Sequence, residues 1–411
     1  MNKQRLLCID MAYTMKMVNE RKLEQEFNSR ECGGYFEHVW GVHPMANVPE
    51  GREPSYNGFN VNVSQFSKNQ TIIEGSSAYY KAFKNFFPIN FLLSQIAFTR
   101  YLIRLVKKEK IGIIIVTEPY FCGVLGLFVK FFTKAKLVVW VVAHYDEIYQ
   151  ATGSPAFPRL YRKRWVEKII ERIVFKSVDL TAGGAKSVQE YVLKNGATLN
   201  KFTVFPIGKL IHPLHKIDPQ LRAKEEVTTQ IGAKYIFVYV GRMLDIKFPD
   251  DVVKAFEVIC RTSSDCALIM AGDGPMLKEL KVMVAELGIA QKVHFIGIID
   301  QTKLANIMSD CFAVLSPLTG RSLVEASLAS LPIVAYDRDW QLDFVTKSGN
   351  GVVVPFRDWE SMGKEALALI ANPTQTLKYA AASRQAGLDF VDTNEIYAHE
   401  QKEFSKLLNG K

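Results

Sequence analysis

YIFVYVGRMLDIKFPDD, residues 235–251, reads as a buried strand that ends in a glycine and passes through a basic loop toward a helix. Residues 235–240 are apolar without alternation, the mark of a strand covered on both faces. Gly241 permits a tight turn, and Arg242 and Lys247 occupy the loop. Backbone N–H groups near a helix start, with two long cations beside them, suit a phosphate. Taken alone, the segment reads better as solvated loop charge.

The unit recurs along the chain. The first half has apolar runs at 6–10, 36–42, 111–117, 137–143, 180–182 and 202–206. The second half adds 266–271, 293–296, 313–315, 333–335 and 351–354. Short β-branched runs separated by helical patterns predict parallel strands, and two such series predict two doubly wound α/β domains. Pro and Gly gather in IGKLIHPLHKIDPQ, 207–220, which places the join. The expected division is 1–211 and 212–393, with 394–411 a closing helix that crosses back onto the first domain. Residues 43–76 are polar and turn-rich, a surface excursion with one short strand.

Composition bounds the function. With 48% hydrophobic and 23% charged residues the 411-residue chain is an ordinary folded protein, long enough for two cores. Six cysteines without CxxC pairing read as free thiols in a reducing compartment, with no zinc site. The N-terminal residues lack the apolar run of a signal peptide, and no stretch offers the ~20 clean apolar residues of a spanning helix. A cytoplasmic protein is expected. The net charge of +9 is asymmetric: residues 1–211 hold 29 Lys/Arg against 17 Asp/Glu, and 212–411 hold 22 against 25.

Two further turns follow buried strands. LIMAGDGPMLKEL, 268–280, is turn chemistry by itself. SPLTGRSLVEA, 316–326, places Gly320 where backbone can approach a ligand, then the N–H groups of Arg321, Ser322 and Leu323, then Glu325 one turn into a helix. A carboxylate there suits a ribose diol. First-turn Glu is also common for dipole reasons, worth under ~1 kcal/mol.

Order decides between these readings. GR…K at Gly241, Arg242 and Lys247, AGDGP at 271–275, VHFIG at 293–297, LVEASLASLPIVAYD at 323–337 and NGVVVP at 350–355 occur in sequence. In this the chain resembles the retaining glycosyltransferases of family 4, which have the GT-B fold of two Rossmann-like domains facing across an inter-domain cleft. The likeness is specific over about 235–356 and looser before 230. It implies that Arg242 and Lys247 hold a diphosphate and stabilise the leaving group, and that Glu325 binds the ribose. It also implies that Gly241, Gly320, Arg321, Ser322 and Leu323 support phosphate and sugar, with Ile298 and its neighbours at the base. His144, just past the strand at 137–143, is implied to approach the transferred sugar. The resemblance implies no metal and no cofactor besides the nucleotide-sugar co-substrate.

The chain departs from that family twice. The family's EGFGxxxxE has its first acid eight positions before the second, and here that position is Pro317. This leaves the donor sugar open, with Arg321 as a candidate compensation near phosphate or an acidic sugar. The first strand also runs into MAYTMKMVNERK without glycine, which leaves Tyr13 and Thr14 as acceptor-side candidates.

Basic charge concentrates at 81–110, with seven cations and one acid, and at 159–176, with seven and two. Tyr161, Trp165, Ile169, Ile170 and Ile173 lie there at near-helical spacing. Such helices either dock on an anionic membrane or pack an apolar stripe on the sheet with their cations solvated. No nucleic-acid module is recognisable. The expectation is a hexosyltransferase-type enzyme, retaining and metal-independent, acting on a glycan or lipid-linked acceptor at the membrane periphery. Its rivals are a degenerate GT-B scaffold and a nucleotide-sugar epimerase.

Overall fold

The computed structural model describes residues 4–157 and 160–410; Arg159 of the basic stretch lies outside the described residues. Two compact units divide the chain, Met1–Ile207 with Thr393–Lys411, and Gly208–Asp392. The division precedes the expected 211/212 join because Gly208 already packs inside the second unit. A Cβ there would lie 2.1 Å from the Phe390 carbonyl oxygen. The closing helix, Thr393–Asn409, is built into the first unit. Its Gln401 amide donates to the Cys32 carbonyl (2.8 Å), and Phe404 is buried against Phe36 and Phe205.

The first unit carries β1 (Gln4–Ile9), β2 (Phe36–His43), β3 (Asn62–Ser67), β4 (Gln70–Glu74), β5 (Ile113–Val116), β6 (Lys136–Val141), β7 (Leu180–Gly183) and β8 (Phe202–Val204). They form one sheet in the order β3-β4-β2-β1-β5-β6-β7-β8, parallel except for β3 on β4. Helices follow most strands and cover both faces with one apolar core on each. The excursion at 43–76 holds two strands where one was expected. β4 is buried beside β2, and β3 folds back onto it as an exposed edge whose polar residues gave no strand signal.

The second unit carries β9 (Tyr235–Val240), β10 (Cys266–Ala271), β11 (Val293–Gly297), β12 (Ala313–Ser316), β13 (Ile333–Tyr336) and β14 (Gly351–Val354). Their order is β11-β10-β9-β12-β13-β14, all parallel. Apolar runs at β9, β10, β12 and β13 are buried because helices cover both faces of the sheet. Strand order reverses between β9 and β12, so the loops leaving those two strands part and open a crevice. In the first sheet the same reversal lies between β1 and β5.

Candidate functional site

The loop after β9 is held by the loop after β10. Gly241 N–H donates to the Ala271 carbonyl (3.0 Å), Met243 N–H to Asp273 (2.9 Å), and Met276 N–H to Met243 (3.2 Å). A Cβ on Gly272 would sit 2.0 Å from the Gly241 carbonyl oxygen, and one on Gly274 2.4 Å from that of Met243. The glycines of 271–275 are therefore required by backbone contact, the structural reading of that motif. They brace the Arg242–Lys247 loop, which ends at Phe248 in a left-handed conformation (φ 48°) before the helix Pro249–Thr262.

Across the switch point stands the turn after β12. The Ser316 and Thr319 hydroxyls pair at 2.6 Å, and Ser322 Oγ donates to the Val240 carbonyl (2.8 Å), tying the turn to the end of β9. Gly320 is left-handed (φ 77°), and Lys247 Nζ lies 4.0 Å from the point a Gly320 Cβ would take. The two motifs, over seventy residues apart in sequence, thus meet at one place. Among the described residues Lys247 makes no ion pair or side-chain hydrogen bond. Burial, then the neighbouring Arg242 charge, pull its pKa down to about 8, while Asp339 opposes them. Arg242 is exposed beside it. A half-buried ammonium with no ion pair among the described residues, next to a second cation, is a site short of negative charge.

Glu325 is buried on the short helix Ser322–Leu328. His215, which sequence reasoning missed, lies near enough to feel the charge of this carboxylate. His215 is fully buried, its Nε2 pairs with Gln301 Oε1 at 2.9 Å, and its Nδ1 has no partner. Burial lowers the pKa of His215, and the Glu325 charge opposes that. The one available signal was a second histidine in the Pro-rich join. Ile298, 55% exposed, follows the left-handed Gly297 that ends β11.

One donor-side expectation needs correction. Leu323 N–H donates to the Gly320 carbonyl (3.0 Å), and its side chain is fully buried, so it offers a ligand nothing. The Ser322 hydroxyl is spent on Val240, which leaves its backbone N–H.

In the first unit His144 caps the helix Tyr145–Thr152: Nδ1 accepts from Glu147 N–H at 3.2 Å. That bond places the proton of the neutral ring on Nε2, 3.8 Å from Glu147 Oε1. The ring lies 4.9 Å from that of Tyr191. Behind it Arg164 pairs with Asp146 (2.7 Å), Glu167 (2.8 Å) and Glu171 (2.7 Å), anchoring the capped helix. Thr14 requires correction as well. It is fully buried and its hydroxyl accepts from Met17 N–H (3.3 Å), so it caps a helix and cannot reach an acceptor. Tyr13 packs on the small cluster of Val18, Phe27 and Ile72. The glycine-free loop before it is pinned by Asp10, which accepts from Arg30 (2.7 Å), Ala12 N–H (2.8 Å) and Thr117 (3.1 Å). Beside that switch point burial pushes the Glu118 carboxyl up to about 7, against the N–H groups of Cys122 and Tyr120. Among the described residues no cluster of three or more His, Cys, Asp or Glu is arranged to hold a metal.

Residues 222–386 match the family model described as glycosyl transferases group 1. The second unit is a group 1 glycosyltransferase domain. The chain is 28% identical over 205 residues to the GDP-mannose-dependent alpha-(1-6)-phosphatidylinositol monomannoside mannosyltransferase of Mycolicibacterium smegmatis, covering 47% of this chain and 53% of that protein. It is 22% identical over 287 residues to the alpha-monoglucosyldiacylglycerol synthase of Acholeplasma laidlawii, covering 68% and 71%. The chain spans about half the length of the mannosyltransferases it matches. Among solved structures, sucrose-phosphate synthase from Thermosynechococcus elongatus superposes with a TM-score of 0.74 at 14% identity, covering all of both chains. Anabaena HepE with UDP and glucose gives 0.70 at 13%, covering 98% and 99%. The chain therefore has the GT-B fold, two Rossmann-like α/β domains.

Proposed function

We propose that this chain is a retaining, metal-independent glycosyltransferase that moves a sugar from a nucleoside-diphosphate donor to a hydroxyl on a glycan or lipid-linked acceptor. One observation carries the reading: the unpaired Lys247 ammonium is held against Gly320 at the β9/β12 switch point, with Arg242 beside it. The two cations take the diphosphate, and Glu325 takes the ribose. The acceptor oxygen attacks the anomeric carbon on the face the diphosphate leaves. The C–O bond to phosphate breaks as the new glycosidic bond forms, and a leaving phosphate oxygen receives the acceptor's proton. Lys247 and Arg242 stabilise the charge that develops, work a metal does in other transferases. In the first unit His144 is the candidate for the transferred sugar, its tautomer fixed by Glu147 N–H.

A lipid-surface acceptor is supported by the first unit's helices. On Arg164–Ser177 the buried side carries Arg164, Glu167, Glu171, Val174 and Phe175, while Trp165, Ile169 and Ile173 form an exposed stripe. Phe128 and Phe131 are exposed on the neighbouring helix Phe121–Phe131. Among the described residues no helix is long and apolar enough to cross a membrane. Both relatives quoted above carry a lipid in their names.

The test is thermal stabilisation by nucleoside diphosphates and their sugars with and without Mg²⁺, followed by the anomeric configuration of any product. Ligand at 100 times its dissociation constant stabilises by ~2.7 kcal/mol. A metal-independent shift lost in Glu325→Ala and transfer with retention are expected. No shift with any nucleotide would reject the enzyme and leave a scaffold.

A further inference from the structure

The second unit holds a pair of cysteines that the nucleotide site does not use. Cys260 lies in the last turn of the helix Pro249–Thr262, and Cys266 opens β10. Both are free thiols, and their sulfurs stand 3.8 Å apart. Cys266 is buried and Cys260 half-buried, so the contact is open from the Cys260 side.

The backbone holds that contact. Cys266 is in register with Tyr235 of β9, and its thiol donates to the Ser263 carbonyl (3.1 Å). The turn between the two cysteines is tied down at each residue. Ser263 N–H donates to the Ile259 carbonyl (2.9 Å), and Lys292 Nζ to the Ser264 carbonyl (2.9 Å). Asp265 Oδ1 accepts from Lys234 N–H (2.9 Å). The contact also eases the first ionisation. A hydrogen bond from the Cys260 thiol, opposed by burial and aided by the Lys292 ammonium, brings the Cys266 thiol down to about 7. The thiolate is the reactive form of cysteine.

We propose that Cys260 and Cys266 form an oxidation site, a dithiol that hydrogen peroxide closes to a disulfide. A disulfide is about 2.05 Å long, so a side-chain rotation, not a rearrangement of the chain, separates contact from bond. One thiolate of the pair attacks a peroxide oxygen, the O–O bond breaks, and hydroxide leaves a sulfenic acid behind. The second sulfur attacks the first, the S–S bond forms, the S–O bond breaks and a second hydroxide leaves. The two thiol protons turn both hydroxides to water, and peroxide is reduced as the sulfurs are oxidised. The site lies at the start of β10, and the loop that braces Arg242–Lys247 leaves the strand's other end. The inference therefore stands apart from the nucleotide-sugar reading.

Peptide mapping of the full chain tests it. The reduced protein is treated with hydrogen peroxide at neutral pH, quenched with N-ethylmaleimide and digested with trypsin. Arg261 separates the two cysteines, so the bond appears as peptide 255–261 linked to peptide 262–278. That linked pair should form at least about 10-fold faster than the other four cysteines are lost, and dithiothreitol should reverse it. Cys260→Ser should leave Cys266 as a sulfenic acid that dimedone traps, with no linked peptide. Peroxide that spares both cysteines, carries them to sulfinic acid without a link, or links either to another cysteine would overturn the inference. So would an undiminished lead of this pair in urea, because sequence proximity and not the folded contact would then explain the bond.

Discussion

At Lys247 one proton connects stability with function. The folded pKa of about 8 lies below the ~10.4 of an unfolded lysine. Between those values the unfolded chain binds more protons, so the residue's contribution to stability rises with pH across that window. Below pH 8 the cost of burying the cation is present in full. An arriving diphosphate reverses the balance, since it favours the charged form. Diphosphate affinity should therefore hold constant up to about pH 7.5 and fall as pH passes through 8. Lys247→Met should flatten that profile, weaken binding about 10-fold or more, and leave the free protein as stable as wild type or more so at pH 7. Calorimetry between pH 7 and 9.5 decides it, and a wild-type profile without slope would remove Lys247 from the site. Order made Lys247 and Gly320 legible, because each turn alone reads as ordinary loop chemistry and only their succession along the chain points to one site. It could not show that the Leu323 N–H is consumed by Gly320, or that Thr14 turns inward to cap a helix. Those outcomes depend on turn geometry, not on which residues are present.

The element that aims Lys247 is the junction between its loop and the helix Pro249–Thr262. Phe248 occupies that junction at φ 48°, a strained state for a bulky residue. Packing holds it there: its ring lies 5.2 Å from Phe356 and 4.8 Å beneath the Arg357 guanidinium, which also meets Asp251 (3.3 Å). Phe248→Ala would lose the ring and keep the strain, a cost of about 3–5 kcal/mol. Phe248→Gly loses the same ring and relieves about 1–2 kcal/mol of strain. Glycine should thus be the milder substitution, the reverse of the order in a regular helix, and urea melts of both variants would show it. Gly272→Ala has no such relief. Its Cβ would meet a main-chain oxygen at 2.0 Å, and the variant should lose more than about 3 kcal/mol as well as nucleotide binding. At this scale the parallel strands were legible from apolar runs, because burial on both faces leaves little room for polar residues. The edge strand β3 was not, since an exposed edge alternates weakly and carries polar side chains.

Across the whole molecule, the charge asymmetry acquires a surface in the first unit. The helix Arg164–Ser177 buries Arg164, Glu167 and Glu171 together with Val174 and Phe175, and still exposes Trp165, Ile169 and Ile173. Val174 and Phe175 in the core and three ion pairs with Arg164 hold the helix on its sheet, so the exposed stripe is not needed for that. It is free to meet something else. Arg162, Lys163, Arg172 and Lys176 are exposed near it, which favours an anionic surface over a neutral one. The protein should therefore co-sediment with vesicles containing about a third anionic lipid and release as salt rises, each interfacial cation contributing about 1 kcal/mol at low salt. Replacing Trp165, Ile169 and Ile173 together by Ser should lower vesicle affinity by at least about 10-fold, given roughly 1.5–3 kcal/mol per fully buried side chain. It should leave the melting temperature and diphosphate binding unchanged, because none of the three packs in the core or lies in the second unit. Equal affinity for neutral and anionic vesicles would assign the contact to the apolar stripe alone. No affinity for either would detach the acceptor from the membrane and point the search to a soluble glycan.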